Sequence, residues 1–358
     1  MRVLIVRLRA LGDVIHGLPV ACALKDQVPG AYIGWLAEER AGEILLDHPA
    51  IDQRVVVPSG WTRSPARILR LRRELAAAHF DVVLDLQGVR SSVFAALLAG
   101  APRRLGFVGM VSHELRYLVR DADLLRALSR AIARPLRFEV VTAASEHIVD
   151  RYLEILAPLG VAALPVRFGL AEVATDADGV LQLLHDARLA DAGFAILNPG
   201  GPPSRTWRPE RFAALARHLD SMHGLPALVV QGRSGGEREA ASEIVAAAGG
   251  RTRLLPQLPL AQLGALARRA RAFISADTGP LHLAAAVGAP CIGLIGHALA
   301  ARFAPYGPGN IVVQGNPPLT HGAQGARSGV EAMRAIDVDA VCRACDRLLA
   351  AGPARVAR

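Results

Sequence analysis

Cysteine and aromatic residues are scarce in this 358-residue chain, which holds four cysteines and only 4% Phe, Trp and Tyr. Cys22, Cys291, Cys342 and Cys345 are too few and too scattered for a disulfide framework. Cys342 and Cys345 form a CxxC, but they fall in the helical pattern "DVDAVCRACDRLLA", where residues i and i+3 share one face. Long apolar runs are also missing: arginines and acids interrupt every stretch well short of the ~20 residues a membrane span needs. Arg7 and Arg9 break the first apolar run at once, unlike a signal-peptide core, so residence in the cytoplasm is the expectation. There is no zinc-finger spacing, no aromatic-rich RNA-binding strand and no basic block beyond "RSPARILRLRR", so nucleic acid is not an expected partner.

Positive charge and aliphatic residues are abundant. The net charge is +9, with 41 Lys+Arg that are nearly all arginine, and 52% of residues are hydrophobic. Such a balance suits an anionic partner or an acidic membrane surface, although an arginine-rich coding bias explains much of it. The length exceeds that at which single cores stop growing, which predicts two domains. Short apolar runs alternate with helical patterns throughout, the signature of parallel sheets with crossover helices. The first half offers "RVLIVRL", "AYIGWLAE", "QRVVVP", "FDVVLDLQ" and "RRLGF". The second offers "FAILNPGG", "PALVVQG", "TRLLPQ", "AFISAD", "PCIGLIG" and "NIVVQG". Proline, glycine and fading periodicity at about 157–179 mark a linker. The predicted layout is two doubly wound α/β domains, 1–165 and 166–335, followed by a helix in 336–358 expected to pack back on the first domain.

In such sheets ligands sit beyond the carboxyl ends of the strands. The richest such end is "AFISADTGPLHLAAAVG". There Asp277 closes a buried strand and Thr278-Gly279-Pro280 opens a helix whose free amides form an anion site, with His282 one turn in. A diphosphate would fit, and so would an ordinary cap. A second end, "LNPGGPPSRTWRPERF", places Gly200, Gly201, Ser204 and Arg205 before a helix start, where an arginine can neutralise phosphate. A third, "VVQGRSGGERE", offers Glu237 as a ribose ligand or a first-turn helix acid. Its spacing matches neither the phosphate-loop pattern nor GxGxxG. In the first half, Asp13 in "RALGDVIHGLP" is a candidate general base or a helix cap. Gln87 in "LDLQGVRSS" and the arginines Arg63, Arg67, Arg70 and Arg73 are candidates for an acceptor face, the arginines equally a wetted helix surface. The D-x-D triplets Asp121-Asp123, Asp176-Asp178 and Asp337-Asp339 read as caps rather than as metal-holding pairs, since none ends a clear strand.

Together these segments resemble the heptosyltransferases of lipopolysaccharide assembly, glycosyltransferase family 9. The resemblance runs through almost the whole chain and is carried by "LIVRLRALGDVIHGLPV", "DVVLDLQGVRSSVFAALLAGAPRRLGF", "PGGPPSRTWRPERFAALA", "QGRSGGERE" and "SADTGPLHLAAAVGAPCIGLIG". The early "WLAEE" is more like the first heptosyltransferase than the second. It implies a GT-B architecture with an acceptor-binding N-terminal domain and a donor-binding C-terminal one. It also implies heptose transfer from ADP-L-glycero-D-manno-heptose to the Kdo-modified lipid A core, with inversion and without a metal ion or other cofactor. Asp13 matches the family's catalytic base. Gly200, Gly201, Ser204, Arg205, Glu237, Asp277, Thr278, Gly279 and His282 fall on its donor side. Gln87 and the four arginines would face an anionic acceptor at the cytoplasmic surface of the inner membrane. Two departures stand out: Arg205 occupies a usual lysine position, and Gly200-Gly201 occupy positions that often carry hydroxyls. A related transferase with another donor or acceptor, or a non-catalytic binding module, remains open on these residues alone.

Overall fold

The computed structural model describes residues 1–107, 138–163, 165–170, 174–186, 193–296, 300–315 and 325–352. The chain divides into two compact units, Met1–Gly169 and Leu170–Arg358.

Each unit is built on a six-stranded sheet whose pairings are all parallel. In the first, β1 (Arg2–Val6), β2 (Tyr32–Glu38), β3 (Gln53–Val57), β4 (Val82–Asp85), β5 (Arg103–Phe107) and β6 (Glu139–Val141) lie in the order β3-β2-β1-β4-β5-β6. In the second, β7 (Ala195–Asn198), β8 (Ala227–Val229), β9 (Arg253–Leu254), β10 (Ala272–Ala276), β11 (Cys291–Leu294) and β12 (Ile311–Val313) lie in the order β12-β11-β10-β7-β8-β9. Central strands such as β1 and β10 are buried along nearly their whole length and almost entirely apolar, as strands covered on both faces require. The order reverses between β1 and β4 in one sheet and between β7 and β10 in the other. At such a switch point the flanking connections leave in opposite directions and open a crevice at the carboxyl ends of the strands.

Two elements differ from expectation. β6 was not legible, because at three residues on a sheet edge with exposed side chains it carries no apolar run. The predicted linker also contains the beginning of a helix, Ala174–Asp186. The final helix, Val338–Ala351, buries Val341, Cys342, Ala344, Cys345 and Leu348 in the second unit's core beside Leu215 and Leu219, where a return to the first domain was expected. Its apolar face is thereby used within the second unit, and Trp207 Nε1 and Arg211 Nη1 hold the preceding turn by donating to the Ile336 carbonyl at 3.0 and 2.6 Å.

Burial pushes the Cys342 thiol up to about 11 and raises that of Cys345 further, so neither offers a ready thiolate. Asp337 caps the same helix by accepting from the Asp339 amide at 3.4 Å. Asp176-Asp178 falls inside the helix Ala174–Asp186, and Asp121-Asp123 lies outside the described residues.

Candidate active site

At the first switch point, β1 runs into the helix Leu11–Gln27, and Asp13 stands in that helix's first turn. Its Oδ2 accepts from the Ala10 amide at 3.2 Å, so it does serve as a cap. The same oxygen is paired with the guanidinium of Arg7, which is buried at the end of β1 with 9% of its side chain exposed. Asp13 itself is 28% exposed, and its other oxygen faces the ring of His16 at 4.0 Å and takes no hydrogen bond among the described residues. Cap and cation therefore fix the carboxylate through one oxygen and leave the second open to a hydroxyl group.

Beneath this pair lies a polar cluster that joins the two switch strands. Asp85, the fully buried last residue of β4, accepts from the amides of Gln87 and Gly88, both at 2.9 Å, and from Ser92 Oγ at 3.1 Å. Burial outweighs those three hydrogen bonds and the nearby Arg7 charge, and pushes the carboxyl up to about 6. Gln87 is buried, and its Oε1 accepts from the Leu8 amide at 2.8 Å, tying the end of β1 to the turn after β4. Its side-chain oxygen is thus engaged by the protein's own backbone. Arg63 ends the turn Trp61–Arg63, while Arg67, Arg70 and Arg73 stand exposed on the helix Pro65–Ala77, whose Leu71 and Leu75 face the core. None of the four is paired with an acid among the described residues.

The second switch point gathers five of the predicted donor-side residues. Asp277 follows β10 and is buried, with its Oδ2 accepting from Arg205 Nη1 at 3.1 Å and its Oδ1 facing His282 Nε2 at 2.9 Å. The imidazole and guanidinium are thus held by one carboxylate from opposite sides. Asn198, the last residue of β7, donates to Ser275 Oγ at 2.8 Å and Thr278 Oγ1 at 3.0 Å, which joins the two switch strands. Thr278 occupies the cap of the helix Gly279–Ala286 without capping it, because its hydroxyl is turned to Asn198 and Ser275. The amides of Thr278 and Gly279 have no acceptor among the described residues, which leaves an anion-binding helix start.

Gly201 sits at φ +142, a region only glycine adopts readily, and a Cβ there would lie 3.1 Å from Thr278 Cγ2. Its amide donates to Glu237 Oε1 at 3.1 Å. Glu237 is also the N3 acid of a capping box, its Oε2 accepting from the Ser234 amide and hydroxyl at 3.0 and 2.7 Å. Desolvation raises its pKa, but these bonds win and hold it below the usual carboxylate value. Both oxygens are engaged, so Glu237 shapes the Gly200-Gly201 turn whatever else it contacts. Ser204 lies in the short turn Pro203–Arg205, where the helix Gly325–Arg334 comes so close that a Cβ on Gly329 would stand 2.9 Å from the Ser204 carbonyl. That packing braces the turn from which Arg205 projects, 51% exposed.

The chemistry and the fold meet a known pattern. The family model for glycosyltransferase family 9 (heptosyltransferase) matches residues 68–324. The chain belongs to glycosyltransferase family 9. It is accordingly a glycosyltransferase. Among curated family 9 relatives, Lipopolysaccharide heptosyltransferase 1 of Pseudomonas aeruginosa is 28% identical over 303 residues, covering 83% of this chain and 79% of the relative. Among solved structures, a glycosyl transferase family 9 protein of Veillonella parvula aligns with a TM-score of 0.78 at 20% identity, covering 98% of each chain. E. coli heptosyltransferase WaaC with ADP-2-deoxy-2-fluoro heptose aligns with a TM-score of 0.70 at 23% identity, over 97% of this chain and 99% of that one. Both superpositions carry the two-sheet GT-B-type fold.

Four residues of this family 9 site escaped the sequence reading: Arg7, Asp85, Asn198 and Ser275. Each sits within or just after an apolar run, as in "LIVRL", "VVLDL", "AILN" and "AFISA". A polar side chain inside a buried strand was the available signal, since burial there costs stability unless it is hydrogen-bonded.

Proposed function

We propose that the protein is an inverting, metal-independent heptosyltransferase that moves L-glycero-D-manno-heptose from its ADP-linked donor to the Kdo-modified lipid A core. The observation that carries this is the array at the second switch point: an outward guanidinium and a buried imidazole on Asp277, beside two amides without acceptors among the described residues. That array suits a nucleoside diphosphate leaving group. In the reaction the acceptor oxygen attacks the anomeric carbon while Asp13 takes its proton, and the bond to the diphosphate oxygen breaks with both electrons leaving on ADP. Negative charge develops on the leaving oxygen, where Arg205, the Thr278 and Gly279 amides and His282 meet it, a preorganised contribution of several kcal/mol. With a cation and amides serving that purpose, no metal ion is needed.

The donor assignment draws on family membership, on the P. aeruginosa relative named Lipopolysaccharide heptosyltransferase 1 and on the WaaC structure with an ADP-heptose analogue. Arg63, Arg67, Arg70 and Arg73 form the basic stripe proposed to meet an anionic acceptor at the cytoplasmic membrane surface. Among the described residues no helix is long and apolar enough to cross a membrane. The test is transfer to deacylated Kdo-lipid A from a panel of sugar nucleotides, with and without EDTA, and the anomeric configuration of the product read by NMR. ADP-heptose is expected to be the donor, with an inverted product and full rate in EDTA. Transfer from another sugar nucleotide alone, a retained anomer or loss of rate in EDTA would each overturn the corresponding part.

A further inference from the structure

Outside the residues that form the switch points, two histidines converge on one carboxylate oxygen. His218 and His223 lie in the last turns of the helix Pro209–His223, and Asp346 lies on the helix Val338–Ala351. His218 Nε2 and His223 Nε2 stand 2.8 and 2.7 Å from the same Oδ1 of Asp346, and one candidate ligand atom from each of the three residues lies within 4.8 Å of the others. We propose that these three side chains form a structural binding site for a borderline divalent cation, with Zn²⁺ the best match, that clamps the final helix to its neighbour.

Two imidazoles and a carboxylate are the donor set that zinc accepts with a water in the fourth position. Ligand atoms around a tetrahedral zinc stand about 3.3 Å apart, so each nitrogen withdraws from the oxygen by about half an ångström while the two nitrogens, which lie within 4.8 Å of each other, settle at the same spacing. The frame that holds the ligands is fixed: Leu215 and Leu219 flank His218, Cys345 and Leu348 flank Asp346, and all four are buried in one core. The histidines remain partly open, at 24% and 27% side-chain exposure, so an ion and its water can enter. The helix rises about 1.5 Å per residue, which puts His218 roughly 14 Å along the axis from Pro209 and the donor-side turn before it. The ion would therefore act on stability and leave the proposed metal-independent transfer untouched.

The test uses the untagged full chain, stripped with EDTA and dialysed, and titrated with ZnCl₂ in competition with a chromophoric chelator. One Zn²⁺ per chain is expected, with affinity reduced about tenfold or more in His223→Ala and Asp346→Asn. Cys342→Ser/Cys345→Ser should bind as the native chain does, and zinc should raise the melting temperature of the native chain but not of Asp346→Asn. Co²⁺ in place of zinc should give visible d–d bands without a thiolate charge-transfer band. The proposal is overturned if no stoichiometric ion binds, if His223→Ala and Asp346→Asn bind as the native chain does, or if the cysteine variant abolishes binding.

Discussion

The two switch points carry the same kind of ion pair turned inside out. In the first unit the cation is enclosed and the acid open, with side-chain exposures of 9% for Arg7 and 28% for Asp13. In the second the acid is enclosed and the cation open, 10% for Asp277 and 51% for Arg205. In each pair the member that ends the strand is swallowed by the sheet, and its partner on the following turn or on a neighbouring loop stays outside. One unit therefore presents a carboxylate and the other a guanidinium. In the reaction proposed above, the carboxylate would serve as proton acceptor and the guanidinium as stabiliser of the departing diphosphate.

Substitutions at the open members should damage catalysis, and substitutions at the enclosed members should damage the fold as well. The largest loss is expected for Asp13→Asn, which can still accept from the Ala10 amide but cannot take a proton. Its kcat should fall by about 10²–10⁴, well beyond what the stability lost by weakening the partner of the buried Arg7 would account for, and an unchanged kcat would remove Asp13 from the chemistry. Arg205→Ala should lower kcat by about 10²–10³ with a smaller stability loss than Arg7→Met, because the guanidinium is half exposed and His282 stays on the buried Asp277 carboxylate. Arg205→Lys should recover part of the rate by keeping the charge without the planar fork. Arg7→Met should instead unfold at lower denaturant by about 2–3 kcal/mol, because it strands the buried Asp85 and half-buried Asp13 carboxylates without their cation. Equal stability losses for Arg7→Met and Arg205→Ala would break the comparison.

Asp85 gives a pH test of the enclosed side. Its carboxyl is pushed up to about 6 from an ordinary 3.8, so the folded state holds the proton more tightly than the unfolded one. That contribution to stability is complete below about pH 4 and is lost as the pH rises through 6, amounting to at most about 3 kcal/mol. The native chain should therefore lose stability relative to Asp85→Asn between pH 4 and 7, measured as the difference in denaturation midpoints. A constant difference across that range would mean that Asp85 is not the titrating group. The smallest effect is expected for Gly201→Ala, about 1–2 kcal/mol of backbone strain with a modest rise in donor KM, since the turn must shift away from Thr278.

Much of this architecture was legible in the chain. The apolar runs of the second half correspond one for one to β7–β12, and the buried central strands β7, β8, β10 and β11 show why, since strands covered on both faces need largely apolar side chains. Asp277, Thr278, Gly279 and His282 could be picked out because a strand end followed by Gly-Pro leaves a recognisable helix start. Glu237 and Gln87 were legible as candidates but not in their bonding: one closes a capping box and supports Gly201, the other ties β4's turn to Leu8. The capping box is local, but Gly201 and Leu8 lie 36 and 79 positions from their partners, beyond the reach of local spacing.

By itself the sequence determined the alternation of strands and helices, the two-unit division and the residues that stand at strand ends, since these follow from hydrophobic periodicity and from glycine and proline at fixed places. The tertiary structure decided which strands become neighbours, and with that which polar residues meet. Only the sheet orders β1 beside β4 and β7 beside β10 bring Gln87 to Leu8 and Asn198 to Ser275 and Thr278. Only burial decided which partner of each ion pair faces outward. Charge is written in the sequence, but its exposure depends on what packs around it.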